Sequence, residues 1–391
     1  MSNGPDMGTG YGVQTGEVVP RIKAAGHDIA VASNYGHHGF IREWGDGIPV
    51  YPSSSDQACN DVIKAHAANF EADWTISLYD VWTMRRPMWP ERVASWVPID
   101  HQPVPPEVAA WCRQVTPIAM SRFGQRMLTA QGIESTYIPH SVNTAVFQPT
   151  ESDVRASLQI PDDAFVVLIA AANKGVSPPR KAWGEMFDAL GHFLRQHDDA
   201  YAYIHTDSNQ APPSGVDLGV LARQTGIPLE RVRWSDPYRL ILGHYTPALL
   251  ARLYSMSDVL LATSMGEGFG IPVIEAQACG LPVIVSDFTA QPELCGAGWL
   301  VKGQPWHDPL QGSASFFTPY VGSIVARLEE AYAARGDNGL RERAVAFAAQ
   351  YDSDLVFERY WVPFLAELQA SLEPAPLNRA ERRRRAKGKA A

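Results

Sequence analysis

The stretch Ser264-Met265-Gly266-Glu267-Gly268-Phe269-Gly270-Ile271-Pro272-Val273-Ile274-Glu275-Ala276 decides the fold. It follows a β-like run, Val259–Thr263, and its three glycines in five residues allow a tight turn and close approach of backbone to a ligand. Pro272 suits the first position of a helix, where its missing N–H costs nothing. A strand, a glycine turn and a helix N-terminus with free N–H groups make an anion site. Glu275 is expected in the first helical turn. A carboxylate there can accept two hydrogen bonds from a vicinal diol, or complement the helix dipole. Glu267, on the turn itself, can point into the same cleft.

Around this unit, β-like runs alternate with helical ones: Ile29–Ser33, Trp74–Leu78, Pro117–Ser121, Phe165–Ala171, Ala202–Thr206 and Pro282–Ser286, with helices such as Lys181–Gln196 and Pro247–Met256. That alternation predicts an α/β protein with parallel sheets and crossover helices. A boundary falls near 147–163, where Phe147-Gln148-Pro149-Thr150 follows a strand ending at Tyr137-Ile138-Pro139-His140 and Pro161-Asp162-Asp163 precedes a fresh strand. The expected organisation is a first domain over 1–149, a second over 150–350 and a terminal helix over 351–372 carrying Phe357, Tyr360, Trp361 and Phe364. A basic, disordered tail is expected over 373–391.

Composition sets outer bounds. The chain has 391 residues, 46% apolar and 19% charged, which suits two globular domains. No run reaches the ~20 apolar residues that span a bilayer. Met1–Gly16 is polar and Gly-rich rather than basic then apolar, so no signal peptide is expected and the expected location is the cytoplasm, with contact at a membrane surface left open. Cys59, Cys112, Cys279 and Cys295 are scattered without metal-ligand spacing and read as reduced thiols. Residues 379–391 carry seven cations against Glu381, a net of +6, so the rest of the chain holds −15 behind the overall −9. The body therefore lacks the basic excess of a nucleic-acid binder, while the tail is a candidate polyanion contact.

Glu267 and Glu275 form an E-x7-E pattern that resembles the retaining, GT-B-fold glycosyltransferases of family 4. Ala276-Gln277-Ala278-Cys279-Gly280-Leu281-Pro282-Val283-Ile284, Gln291-Pro292-Glu293 and Gly298-Trp299-Leu300-Val301 resemble later segments of that family. Met120-Ser121-Arg122-Phe123-Gly124 and the run Ile138–Pro149 resemble its approach to the interdomain linker. Gly10-Tyr11-Gly12 and Lys23–Ile29 resemble its first loop, helix and second strand. The resemblance is strong in the second half and weak in the first.

The resemblance implies two facing Rossmann-like domains, donor on the second and acceptor on the first, with the terminal helix crossing back. It implies a nucleotide-diphosphate sugar, a UDP- or GDP-sugar, as co-substrate, with no cofactor and no metal. No Asp-x-Asp stands where a metal would bridge phosphates. Glu275 would hold the donor ribose and Glu267 the transferred sugar, with the backbone of Gly268, Phe269 and Gly270 facing sugar and phosphates. Fixed cations near the diphosphate would stabilise the charge that grows on the leaving group. Lys181, opening its helix, and Arg180 are the expected ligands, with Asn173 and Lys174 standing where the family often has an arginine. Gly12 would approach the diphosphate in a flexible Gly8–Gly12 loop, and Trp234 with Ser235 and Asp236 would meet the base. On the acceptor side the candidates are Tyr11, Tyr79, Asp80, Trp82, Asp100 and His101, with Asp80 and His101 also candidates for handling the acceptor proton.

The expected function is retaining transfer of a hexosyl group to a hydroxyl on a glycan, lipid or small molecule. Two alternatives stay open: the same chemistry on a protein or on hydroxymethylated DNA bases recruited by the tail, and a non-catalytic sugar- or nucleotide-binding relative.

Overall fold

A computed structural model describes residues 1–56, 58–151, 153–175, 179–307 and 314–372. The basic tail and Val176–Pro178 lie outside the described residues.

In the first half the strands are β1 (Val31–Ala32), β2 (Arg42–Trp44), β3 (Ile48–Tyr51), β4 (Thr75–Leu78), β5 (Val93–Val97), β6 (Thr116–Ala119) and β7 (Thr136–Tyr137). They form a parallel sheet in the order β4-β5-β6-β7 and a three-stranded sheet, β1-β3-β2, in which only β2 is antiparallel. In the second half β8 (Phe165–Ala170), β9 (Ala200–His205), β10 (Val232–Trp234), β11 (Val259–Ala262), β12 (Val283–Ser286) and β13 (Gly298–Val301) make one parallel sheet. An antiparallel hairpin of β14 (Gly303–His307) and β15 (Ser315–Pro319) follows.

The order of the six-stranded sheet is β10-β9-β8-β11-β12-β13. The order in which strands are added therefore reverses between β8 and β11, although both run parallel, and connections leave to opposite sides there. In open parallel sheets such a switch point opens a crevice beyond the strands' C-terminal ends. The central strands are apolar on both faces, as Phe-Val-Val-Leu-Ile-Ala in β8 and Val-Ile-Val-Ser in β12, because helices cover both sides.

One core runs from Val18 and Ile22 through Trp96 and Ile118 to Leu260, Ile274 and Trp361, so apolar packing is continuous between the halves. The terminal segment breaks into Ser353–Val356, a π-helical Phe357–Trp361 and Val362–Ala370. Pro363 supplies no N–H to the turn before it, which gives the widened turn a cause. Trp361 meets Trp96 edge-on at 5.0 Å and Tyr360 meets Tyr137 at 5.5 Å, so this segment packs on the first sheet. Pro374 and Pro376, read as its end, lie outside the described residues. Among the described residues no helix is long and apolar enough to cross a membrane.

Candidate active site

The chain after β8 brings Arg180 and Lys181 to the switch point, just before helix Trp183–Gln196. The turn after β11 brings Glu267 to the same place. Lys181 stands outside the helix it was expected to open. Ala182, at φ 51°, takes a left-handed turn between them. Arg180 Nη1 donates to Glu267 Oε2 at 2.9 Å, and the Lys181 ammonium donates to Glu267 Oε1. Arg180 Nη1 also donates to the Gly266 carbonyl at 2.5 Å. Thr289, at the loop after β12, accepts the Glu267 N–H at 2.9 Å.

These contacts fix the charges. Burial pushes the Glu267 carboxyl up, but Lys181 and Arg180 outweigh it and hold its pKa at about 2. Burial also opposes the Arg180 charge, yet Glu267 and Asp100 raise it above the usual range. Burial lowers Lys181, with Arg180 adding to the effect against Glu267.

The first half supplies the facing wall. Asp80 follows β4, and Asp100 and His101 follow β5. The His101 Nδ1 and Asp100 Oδ1 share a hydrogen bond of 2.6 Å, while Asp100 Oδ2 stands 3.9 Å from Arg180 Nη1. Burial opposes the Asp100 charge, but the His101 hydrogen bond and the Arg180 charge hold its pKa low. Tyr11 donates to Asp80 Oδ1 at 3.3 Å. Asp80 has a pKa of about 6, raised by burial and then by the Asp100 charge. The His101 ring lies 3.9 Å from that of Phe316 on β15, and its Nε2 is buried without a hydrogen-bond partner among the described residues.

Arg180, Lys181, Glu267, Asp100, His101, Asp80 and Tyr11 thus come together. Tyr79 joins at the edge, its ring 6.0 Å from that of Tyr11, with burial and then Asp80 raising its phenol. Trp82 stands open to solvent at 67% exposure.

Among the described residues, the remaining candidates make no hydrogen bond or ion pair with this cluster of charges. Helix Ile271–Ala278 starts one residue before Pro272, with Gly270 at φ 122° as its cap. Glu275 is therefore in its second turn, not its first. It is buried, accepts a hydrogen bond from the Tyr254 hydroxyl at 2.8 Å and has a pKa of about 7, raised chiefly by burial. The glycines of the turn serve a packing role as well. A Cβ on Gly266 would collide with the Asp100 carbonyl oxygen, and one on Gly268 would stand 2.8 Å from Pro98 Cβ. Phe269 is buried with its ring against His140 and Tyr351.

Gly12 is not in a loop: helix Gly10–Ala24 starts at Gly10, with Thr9 accepting the Gly12 N–H. A Cβ on Gly12 would collide with the Met7 carbonyl, so its glycine serves helix packing. Asn173 spends its side chain on Val216 and Asp207 backbone, and Lys174 is exposed. Trp234 packs beside Phe187 with ring centroids 6.2 Å apart. The Ser235 hydroxyl donates to the Thr206 carbonyl past the end of β9 at 2.7 Å, and Asp236 caps helix Pro237–Ile241.

Sequence reading missed Thr289, Phe316 and the role of Glu293. The Glu293 carboxylate accepts the Arg122 and Phe123 N–H groups at 2.8 and 2.9 Å, capping helix Arg122–Thr129 from the other domain. The run Gln291-Pro292-Glu293 drew notice, but its partner lies 171 residues away in the chain. Gln102 and Ser315 exchange two backbone hydrogen bonds and tie the hairpin to the β5 end.

The strand–turn–helix that carries Glu267 lies within one family segment. Residues 239–306 match the model of glycosyl transferases group 1. This group 1 segment and the resemblance to family 4 coincide on the Val259–Ala278 unit. The chain is 40% identical over 60 residues to O-antigen chain mannosyltransferase B of Escherichia coli, covering 15% of this chain and 16% of that one. It is 28% identical over 230 residues to D-inositol 3-phosphate glycosyltransferase of Acidothermus cellulolyticus, covering 56% and 45%. The chain thus spans less than half the length of these relatives. Its fold is GT-B. The sucrose-phosphate synthase structure from Thermosynechococcus elongatus superimposes with a TM-score of 0.70 over 93% of this chain and 94% of that one, at 16% identity.

Proposed function

We propose that the protein is a glycosyltransferase that moves a hexosyl group from a nucleoside-diphosphate sugar to an acceptor hydroxyl, with retention of configuration and without a metal. The observation that carries this reading is the convergence of Arg180, Lys181 and Glu267 at the switch point, facing Asp80, Asp100 and His101. The group 1 segment and the sugar-transfer names of its relatives support the same class.

In this reading the donor diphosphate lies against Lys181 and Arg180, which Glu267 holds in position beforehand. As the bond from the sugar C1 to the phosphate oxygen breaks, negative charge grows on the leaving group. Prepositioned cations meet it without reorganising. Glu267 is then free to accept hydrogen bonds from the sugar hydroxyls. Glu275, held by Tyr254, receives the ribose diol. The acceptor hydroxyl enters between Asp80 and the Asp100–His101 pair and attacks C1 from the face the diphosphate leaves. Its proton passes to the departing phosphate oxygen. This front-face course follows the resemblance to family 4, and the acceptor is a glycan, lipid or small-molecule hydroxyl.

The test is turnover of UDP- and GDP-sugars, measured as released nucleoside diphosphate, in wild type and Lys181→Ala. The reading expects at least a ~100-fold loss in kcat/KM, the scale of losing one charge-stabilising contact. A variant that turns over donor like wild type rejects the donor-site assignment.

A further inference from the structure

A cavity of about 240 Å³ lies in the first domain, away from the cleft. Its lining includes two stretches of chain, Asp28–Ala32 leading into β1 and Asp73–Ile76 leading into β4. Apolar side chains line most of the rest, among them Val18, Ile22, Trp96, Trp361, Leu365 and Leu368, with Gln14, Thr15, His66 and Gln369 among the polar members.

Met1–Asn3 runs between the same two strands at one end. Ser2 N–H donates to the Ala32 carbonyl at 3.1 Å and Asn34 N–H donates to the Ser2 carbonyl at 2.9 Å. On the other edge, Leu78 N–H donates to the Met1 carbonyl at 2.9 Å and the Met1 ammonium donates to the Ile76 carbonyl at 2.7 Å. Ser2 pairs with Ser33 in the parallel sense. This short stretch bridges the β1-β3-β2 and β4-β5-β6-β7 sheets.

In a strand the N–H and C=O of one residue point to the same side, alternating along the chain. Ala32 and Ile76 turn their carbonyls toward Met1–Ser2, so their N–H groups face the same gap, one step back along the strands. The Met1 ammonium is buried there, and burial lowers its pKa to about 6. A peptide N–H in its place would reach Ile76 without a charge to desolvate.

We propose that this gap takes one further parallel β-strand, a run of about four apolar residues at ~3.3 Å each that leads directly into Met1. The strand would join the two small sheets into one and bond the Ala32 and Ile76 N–H groups. Its residues would be aliphatic on both faces, because helix Gly10–Ala24 and the terminal helix line the same cavity.

The test compares the full chain with versions extended before Met1 by Val-Ile-Val-Ile, Gly-Ser-Gly-Ser or Val-Pro-Val-Pro. The readouts are melting temperature and hydrogen exchange at the Ala32 and Ile76 amides. The proposal expects the Val-Ile extension alone to raise the melting temperature by several degrees and to slow both amides. The Pro extension keeps apolar bulk but loses strand N–H groups, so it gains little. A Val-Ile extension that changes neither readout overturns the proposal. So does an equal gain from the Pro extension, which would mean that any apolar occupant fills the cavity.

Discussion

Glu275 and Glu267 are eight positions apart, and their pKa values are shifted in opposite directions. The Glu275 pKa of about 7 stands above its ordinary 4.5, so the folded state binds the extra proton. Stability from this group is full below 4.5 and falls as pH climbs through 7, by at most about 3 kcal/mol. Glu275→Gln is therefore expected to flatten the loss of stability between pH 5 and 8 in urea unfolding while impairing donor use. An unchanged pH slope would count against a buried, ionising Glu275. Glu267, held at about 2, works the other way: its contribution is present above 4.5 and is lost toward pH 2. Removing its charge with Glu267→Gln strands two cations and is expected to cost about 3–5 kcal/mol at neutral pH. A cost below 1 kcal/mol in urea unfolding would show that the ion cluster is already solvated. Glu267, Arg180 and Lys181 were singled out in the sequence through the resemblance to family 4. Their mutual pairing was not, since the contact bridges 86 to 87 positions.

At the scale of elements, the glycine turn does more than precede a helix. Gly266 and Gly268 let it lie against Pro98 and Asp100 at the β5 end. Gly266→Ala places a methyl against the Asp100 carbonyl and is expected to open this contact. Hydrogen exchange around Asp100–Gln102 should quicken, and unchanged exchange would contradict the packing role. Glu293 is the second link, and Glu293→Ala is expected to cost about 1–2 kcal/mol as a lost helix cap, read by thermal unfolding. If the variant melts like wild type, the interdomain cap contributes nothing. Apolar runs made β1, β4, β6, β8, β9, β11 and β12 readable. The start of helix Gly10–Ala24 was not readable, because Gly-Tyr-Gly reads as a loop and only Thr9 and close packing on Met7 fix it as helix. The position of Glu275 within its helix shifted for a related reason: Gly270, rather than Pro272, sets where that helix begins.

Across the whole molecule, the switch point of the six-stranded sheet and the ends of β4 and β5 face each other. The terminal segment braces this arrangement through Trp361 on Trp96, and Trp361→Ala should cost about 3–5 kcal/mol. That brace was expected from the resemblance to family 4, whereas the β14–β15 hairpin beside His101 was not readable, because its partner Gln102 lies in the other half. The central claim is that this cleft binds a nucleoside-diphosphate sugar through Lys181, Arg180, Glu267 and Glu275. It is tested most directly by thermal shift with UDP-, GDP-, ADP- and TDP-sugars in EDTA, on wild type and Glu275→Ala. A ligand that binds only the folded state raises the melting temperature. The account expects a rise with one nucleotide class that the variant loses; an equal rise in the variant, or none in wild type with any donor, contradicts it.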